Sequence, residues 1–116
     1  MNGKRQGFGR EYSDNKLRYE GEYMNGNRHG EGKEYNFYGN LEFEGEYFNG
    51  RKWNGKIKVY YGINIIIFEG KYLNGDRHGE GKEFYGDGNL LFEGNYLNGE
   101  KHKKGREYYN NKKIKN

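Results

Sequence analysis

The stretch FEGEYFNG, from Phe43 to Gly50, decides the fold because it returns along the chain in closely related forms. These forms are YEGEYMNG at 19–26, FEGKYLNG at 68–75 and FEGNYLNG at 92–99. The Glu-Gly steps repeat at intervals of 24, 25 and 24 residues, since their glycines are Gly21, Gly45, Gly70 and Gly94. A fixed period of this length is the signature of a repeat architecture.

The composition leaves little material for a conventional core. Of 116 residues, 31% are hydrophobic, 33% are charged and 21 are glycine. The 13 tyrosines and 7 phenylalanines suit packing on one side of a sheet, and a net charge of +4 is too small to indicate disorder. Cysteine is absent, and the longest apolar patch, Ile63 to Ile67, is too short to cross a bilayer. We expect a cytoplasmic location, with the periphery of a membrane or of the cytoskeleton as the alternative.

Each unit has two halves, and alternation of residue types predicts a strand in each. In FEGEYFNG and the residues before it, one face carries Leu41, Phe43, Gly45 and Tyr47, and the other carries Glu42, Glu44 and Glu46. In the second half, RHGEGKEY at 28–35, Gly30, Gly32 and Glu34 share one face, and Glu31, Lys33 and Tyr35 share the other. We call these the aromatic face and the charged face. Asn-Gly between the halves predicts a hairpin, because both residues accept a positive φ.

Opposite charges indicate the register of each hairpin. The predicted cross-strand pairs are Glu20 with Lys33, Glu44 with Lys58, Glu46 with Lys56, Glu69 with Lys82, Lys71 with Glu80, and Glu93 with Arg106. Glu22 opposite Glu31 is the one like-charged pair. The same register sets Gly21 opposite Gly32 and Tyr23 opposite Gly30, so that rings lie over bare backbone. Ring burial, at about 1.5–3 kcal/mol per side chain, then offsets the cost of glycine in a strand.

YEGEYMNGNRHGEG and FEGKYLNGDRHGEG resemble the MORN repeat, and the resemblance covers nearly the whole chain in about four and a half units. It implies an all-β fold, a single-layer, twisted, elongated antiparallel sheet of tandem β-hairpins. The array is one domain over 1–116, with a half unit at 3–16, units at 17–40, 41–65, 66–89 and 90–109, and a basic tail at 110–116. RKWNGKIKVYYGINI at 51–65 departs from the His-Gly-x-Gly pattern, and the GNLxFEG joint is similar to the variant repeats common in bacterial and some protist or viral proteins.

The residues give little support to an enzyme or a metal site. Equivalent glutamates, such as Glu20 and Glu44, lie two strands apart, roughly 9–10 Å, too far to share a proton. The recurrent His29, His78 and His102 are separated in the same way and are more simply packing residues. The glycines of GEG sit within strands and lead into no helix, unlike phosphate-binding loops. We therefore predict no catalytic residues, no cofactor and no metal.

The resemblance implies a protein that binds or scaffolds other proteins, in some proposals at phosphoinositide membranes. We predict a protein or peptide partner along the aromatic face, because an exposed apolar stripe marks an interaction surface. Its contacts would be Tyr19, Tyr23, Phe43, Tyr47, Phe68, Tyr72, Phe92 and Tyr96. The basic C-terminal stretch is the second candidate, for acidic phospholipid or an acidic partner, through Lys101, Lys103, Lys104, Arg106, Lys112, Lys113 and Lys115. An immunity-type role beside a toxin and a homodimer through the terminal repeats are further alternatives, and nucleic acid is disfavoured.

Overall fold

The computed structural model describes residues 6–102 and 105–110, and every regular element in these ranges is a β-strand. The strands are β1 (Gly7–Ser13), β2 (Lys16–Met24), β3 (Asn27–Tyr35), β4 (Leu41–Phe48), β5 (Arg51–Tyr61), β6 (Ile65–Leu73), β7 (Asp76–Arg77), β8 (Gly79–Phe84), β9 (Leu90–Leu97), β10 (Glu100–Lys101) and β11 (Arg106–Glu107). They form one antiparallel sheet in the order β1-β2-β3-β4-β5-β6-β8-β9-β10, with β7 beside β6 and β11 beside β9. The predicted all-β array of hairpins is confirmed.

The Asn-Gly turns are two-residue hairpin turns, as predicted. Asn25 and Gly26 have φ of 52° and 85°, and the other three Asn-Gly pairs repeat these values closely. Two positive φ values in succession define the turn whose twist matches that of the flanking strands. Asp14 and Asn15, with φ of 52° and 62°, form a further turn of this kind between β1 and β2, which the sequence reading missed.

A β-bulge follows each turn that leads from one Asn-Gly hairpin to the next, and it changes the predicted faces. Glu34 pairs with Phe43 and Tyr35 pairs with Leu41, so Glu42 is an extra residue in β4. The same irregularity places Arg18, Ile67 and Leu91 at the corresponding positions of β2, β6 and β9. The prediction that Leu41 shares the aromatic face and Glu42 the charged face is therefore wrong. Alternation ends at Phe43 because one inserted residue turns the side chains before it to the opposite side.

A second irregularity lies beside the Asn-Gly turn of the first full hairpin. Gly21 pairs with Gly32 as predicted, but Tyr23 pairs with Arg28 and not with Gly30. Gly30 has a φ of 87°, and a Cβ built on it would lie 2.7 Å from Oε2 of Glu22, with the residues of the charged face. The extra residues in β3 thus carry Gly30 away from the rings and turn Arg28 toward them. The predicted pair Glu22 with Glu31 is also replaced, since the Glu31 amide donates to the Glu22 carboxylate at 2.8 Å.

The hairpin of β4 and β5 has a different register from the one predicted. Gly45 pairs with Gly55, Glu44 with Lys56 and Glu46 with Asn54. The Asn49-Gly50 turn is as short as the others, because Phe48 and Arg51 close it directly. The additional residues of this unit therefore lie after Gly55, in the part that leads to the next hairpin. The predicted pairs Glu44 with Lys58 and Glu46 with Lys56 are wrong. The predicted pair Lys71 with Glu80 is also absent from the described ladder, which joins β6 and β8 through Phe68–Glu83 and Glu69–Lys82.

Two rows of glycine cross the sheet beneath the rings. The first row consists of cross-strand neighbours on β1 to β5: Gly9, Gly21, Gly32, Gly45 and Gly55. The second row contains Gly70, Gly81, Gly94 and Gly105. Between β5 and β6 the rows are out of step, since Gly55 pairs with Tyr72 and Gly70 pairs with Ile57. The additional residues between Gly55 and Gly70 therefore divide the array into two register blocks.

Candidate functional site

Seven of the eight rings predicted to contact a partner form the core of the protein together with Ile57. Tyr19 and Phe43 are fully buried, and Tyr23, Tyr47, Phe68, Phe92 and Tyr96 are at most 5% exposed. Neighbouring rings meet edge to face, as Tyr19 and Tyr47 do at 5.1 Å between centroids. The Tyr19 ring lies over Gly32, where a Cβ would be 2.6 Å from its Cε1 atom. The premise that these rings form an exposed apolar stripe is wrong for the seven buried ones; binding along this face stays a prediction.

A recurrent cation covers these rings. The Arg28 guanidinium lies 4.3 Å from the centroid of the Tyr19 ring and donates to Glu11 at 2.9 and 3.0 Å and to Glu34 at 2.9 Å. In the second register block Arg77 lies 3.8 Å from the Phe68 centroid, and Lys101 lies 4.6 Å from that of Phe92. The sequence reading assigned Arg28 and Arg77 no role, and it assigned Lys101 only to contact with acidic lipid or an acidic partner, although a basic residue stands before each recurrent histidine. A partner on this face would meet guanidinium and carboxylate groups before it met rings.

Glutamates of the second half-strands hold the tyrosine hydroxyls. Tyr23 donates to Glu11 at 2.5 Å and Tyr47 donates to Glu34 at 2.8 Å, and Tyr96 donates to Glu83 in the same manner. Burial raises the pKa of Tyr19 to about 12. The pKa of Tyr47 and of Tyr96 is also raised, mainly by burial and secondly by the glutamate that accepts the hydrogen bond from each hydroxyl. Because these hydroxyls already have partners, the tyrosines stabilise the fold in the protonated form.

Tyr72 is the exception among the eight rings. It is only partly buried, and its strand pairs with β5, where Val59 occupies the place that Glu11, Glu34 and Glu83 take in the other hairpins. Because the central unit departs from the repeat pattern, it has valine at the position where the other units place a glutamate that accepts a hydrogen bond from a tyrosine hydroxyl. Among the predicted contacts, Tyr72 is the ring that a ligand on the aromatic face could reach most directly.

The charged face carries two ladders of alternating sign. The first runs across β1 to β5 through Arg10, Glu20, Lys33, Glu44 and Lys56. The second runs across β5 to β11 through Lys58, Glu69, Lys82, Glu93 and Arg106. Arg10 and Glu20 form an ion pair at 3.3 Å, and Lys33 and Glu44 approach to 3.9 Å. The predicted pairs Glu20 with Lys33, Glu69 with Lys82 and Glu93 with Arg106 are confirmed.

The alternation fails where the two register blocks meet. Lys56 on β5 pairs directly with Lys71 on β6, and Lys58 lies two residues along β5 on the same face. Like charges directly opposite each other destabilise a sheet. Within the described part of the chain, none of these three ammonium groups has a carboxylate oxygen within 4.0 Å. We call Lys56, Lys58 and Lys71 the lysine triad.

A groove of about 770 Å³ runs along the charged face and contains the lysine triad. It extends from β4 to β11, and the ladder residues from Glu44 to Arg106 line it together with Leu41 and Tyr60. The volume lies within the roughly 300–1,000 Å³ typical of ligand clefts. The sequence reading placed the protein or peptide partner on the opposite, aromatic face, whereas this groove lies on the charged face.

An apolar stripe follows the margin of the charged face at the Asn-Gly turns. The residue before each turn is large and apolar, and it is 45–54% exposed: Met24, Phe48, Leu73 and Leu97. Each follows a tyrosine of the aromatic face and so points to the opposite side of the sheet. The Phe48 ring lies 5.0 Å from the Trp53 ring and 5.5 Å from the His29 ring, between centroids. The regular position of these residues in YMNG, YFNG and YLNG was the signal that could have identified them. We call them the turn-side stripe.

The basic C-terminal candidates fall partly within the description. Lys101 lies 3.4 Å from Glu83 and 3.7 Å from Glu107, so its charge is engaged within the sheet. Arg106 pairs with Glu93 on β9. Lys103, Lys104, Lys112, Lys113 and Lys115 lie outside the described residues. Contact of this stretch with an acidic lipid or protein stays a prediction.

Two other kinds of feature are absent from residues 6–102 and 105–110. No helix there is long and apolar enough to pass through a bilayer. No group of three or more His, Asp or Glu side chains in the same ranges is placed to hold a metal ion. The recurrent His29 serves a local role, since its Nδ1 accepts a hydrogen bond from the Asn49 amide at 3.3 Å.

Comparison with protein families identifies the architecture. The sequence profile of the MORN repeat matches residues 1–18, 19–36, 68–90 and 92–113. These segments cover more than half of the chain, and the chain belongs to the MORN repeat family. The unmatched central part contains β4 and β5, which nevertheless form a hairpin of the same kind. A comparison with curated protein sequences found no match.

Proposed function

We propose that the chain is a non-enzymatic scaffold that binds a protein or peptide partner across the charged face of its sheet. The observation that carries this proposal is the turn-side stripe, four exposed apolar side chains at equivalent positions on the face of the sheet that also carries the groove. MORN repeat proteins are protein- or membrane-binding scaffolds, and regularly spaced exposed apolar residues mark an interaction surface. Equivalent positions recur every two strands, about 9–10 Å apart, so a partner lying across the strands meets one of them per unit.

Binding along the aromatic face is the competing proposal. It requires a partner that contacts the Arg28 and Glu34 layer, or one that reaches Tyr72 directly. Both arrangements are compatible with a scaffold. A partner that contacts the Arg28 and Glu34 layer, however, meets no apolar side chain there, because the rings beneath are buried. The charged face offers exposed apolar residues and a concave surface together, as binding sites commonly do.

Affinity purification from the native source, with mass spectrometry, tests which face binds. Phe48→Ser with Leu73→Ser removes half of the turn-side stripe at exposed positions and should lower partner recovery at least about tenfold. Ile63→Ser is the matched control, since Ile63 is exposed on the turn between β5 and β6, away from the stripe. Circular dichroism should show that both variants remain folded.

The outcome separates the two faces. Loss of the partner with Phe48→Ser and Leu73→Ser, and retention with Ile63→Ser, supports the charged face. Loss with Tyr72→Ala alone, while the stripe variant binds normally, favours the aromatic face. Equal recovery with all variants would contradict both proposals.

A further inference from the structure

We infer that the groove of the charged face binds an extended segment of a partner protein that places an acidic side chain on the lysine triad. This inference rests on the proposed function, since it names the kind of segment that the scaffold receives. Its basis is the break in the charge ladders, where Lys56 and Lys71 face each other and Lys58 lies beside them.

The triad is a local excess of positive charge between two ladders in which the sign of the charge alternates. Glu44, the cross-strand neighbour of Lys56, already approaches Lys33 at 3.9 Å. Lys58 has Glu69 opposite it, yet no carboxylate oxygen lies within 4.0 Å of it among the described residues. A carboxylate from a partner would relieve the repulsion between Lys56 and Lys71 and restore alternation across the sheet. Charge complementarity therefore specifies an acidic residue at this point.

The rest of the groove excludes a strongly anionic ligand. Glu44, Glu69, Glu80 and Glu93 line it alongside the basic residues. A nucleic acid or another polyanion would meet these carboxylates wherever it left the triad. The flat surface of a bilayer is also a poor match for the floor of a concave groove. The surface fits one or two acidic side chains in an otherwise uncharged segment.

The dimensions of the groove fit an extended peptide. Six strands line it, β4, β5, β6, β8, β9 and β11, which spans about 24 Å at about 4.8 Å per strand. An extended chain of about seven residues covers that length at about 3.3 Å per residue. Leu41 and Tyr60 lie in the groove near the triad and offer apolar contact to the neighbours of the acidic residue. The expected ligand is thus an acidic residue flanked by apolar ones.

Selection of displayed random 12-residue peptides on the full chain tests this inference. Enriched sequences should contain Asp or Glu next to apolar residues. Fluorescein-labelled copies, titrated by fluorescence anisotropy, should bind Lys56→Gln with Lys71→Gln at least about tenfold more weakly than the unmodified protein. Higher salt should weaken binding to the unmodified protein, because it screens the contact.

Arg10→Gln with Lys33→Gln is the matched control, since it removes two charges from the same face outside the groove. This variant should keep affinity within about twofold. Peptides without acidic residues, equal losses in both variants, or triad-dependent binding of phosphatidylserine vesicles in place of peptides would each overturn the inference. If peptides bind through Phe48 and Leu73 but not through the triad, the inference fails and the proposed function stands. If no peptide is enriched, the inference fails, and recovery of the native partner with Phe48→Ser and Leu73→Ser decides the proposed function.

Discussion

At the residue scale, glycine in these strands leaves room for neighbouring backbone as well as for rings. A Cβ on Gly45 would lie 2.6 Å from the Cα atom of Gly55 and still closer to the Asn54 carbonyl oxygen. Gly45→Val should therefore lower the free energy of unfolding by about 1–3 kcal/mol, the usual cost of overpacking. Glu46→Val is the matched control, because Glu46 is exposed on the same strand, and it should change stability by about 0.5 kcal/mol or less. Equal losses in urea titrations would show that the assignment of faces is wrong.

The buried phenols make a second prediction at this scale. The pKa of Tyr19 is raised to about 12 by burial, whereas an unfolded tyrosine titrates near 10. Between about pH 10 and 12 the native state therefore holds more protons than the unfolded state, and the free energy of unfolding falls as pH rises. Tyr19→Phe should make this fall shallower in urea unfolding measured from pH 9 to 12. The exposed Tyr61→Phe should leave the slope unchanged, and an equal effect of the two changes would contradict the account.

At the scale of strands and hairpins, the pairing of Lys56 with Lys71 should be a measurable weakness of the sheet. Lys71→Glu places opposite charges across β5 and β6 and should raise the free energy of unfolding by about 0.2–1 kcal/mol. Lys82→Glu is the opposite change, because Lys82 lies between Glu69 and Glu93 and loses two favourable neighbours. It should lower stability by a similar amount. Urea melts that show the same sign for both changes would rule out the ladder as a source of stability.

Hairpins were predictable from the sequence, and bulges were not. The Asn-Gly turns and the alternation around Gly45 are determined by residues that are close in sequence. The turns and the central part of each face could therefore be predicted correctly. The position of Arg28 depends on how many residues β3 inserts opposite Gly21 and Tyr23, which local alternation does not record. The same holds for the candidate site. The rings of the aromatic face could be identified from the alternation, but the cations and glutamates that cover them and the turn-side stripe on the other face were missed.

At the scale of the whole molecule, the sheet is long and one layer thick. Its extents are 59 × 29 × 13 Å and its Cα radius of gyration is 16.5 Å, whereas a compact domain of 116 residues would have about 13 Å. The shape follows from the repeat, because the strands of residues 6–102 and 105–110 make their main contacts with neighbouring strands along the array. Small-angle X-ray scattering should therefore give a radius of gyration of at least 16.5 Å at low protein concentration. A concentration-dependent rise would indicate association through the terminal strands, as a homodimer would require. A value near 13 Å, unchanged by dilution, would mean that the array closes on itself and that the groove of the charged face is not open in solution.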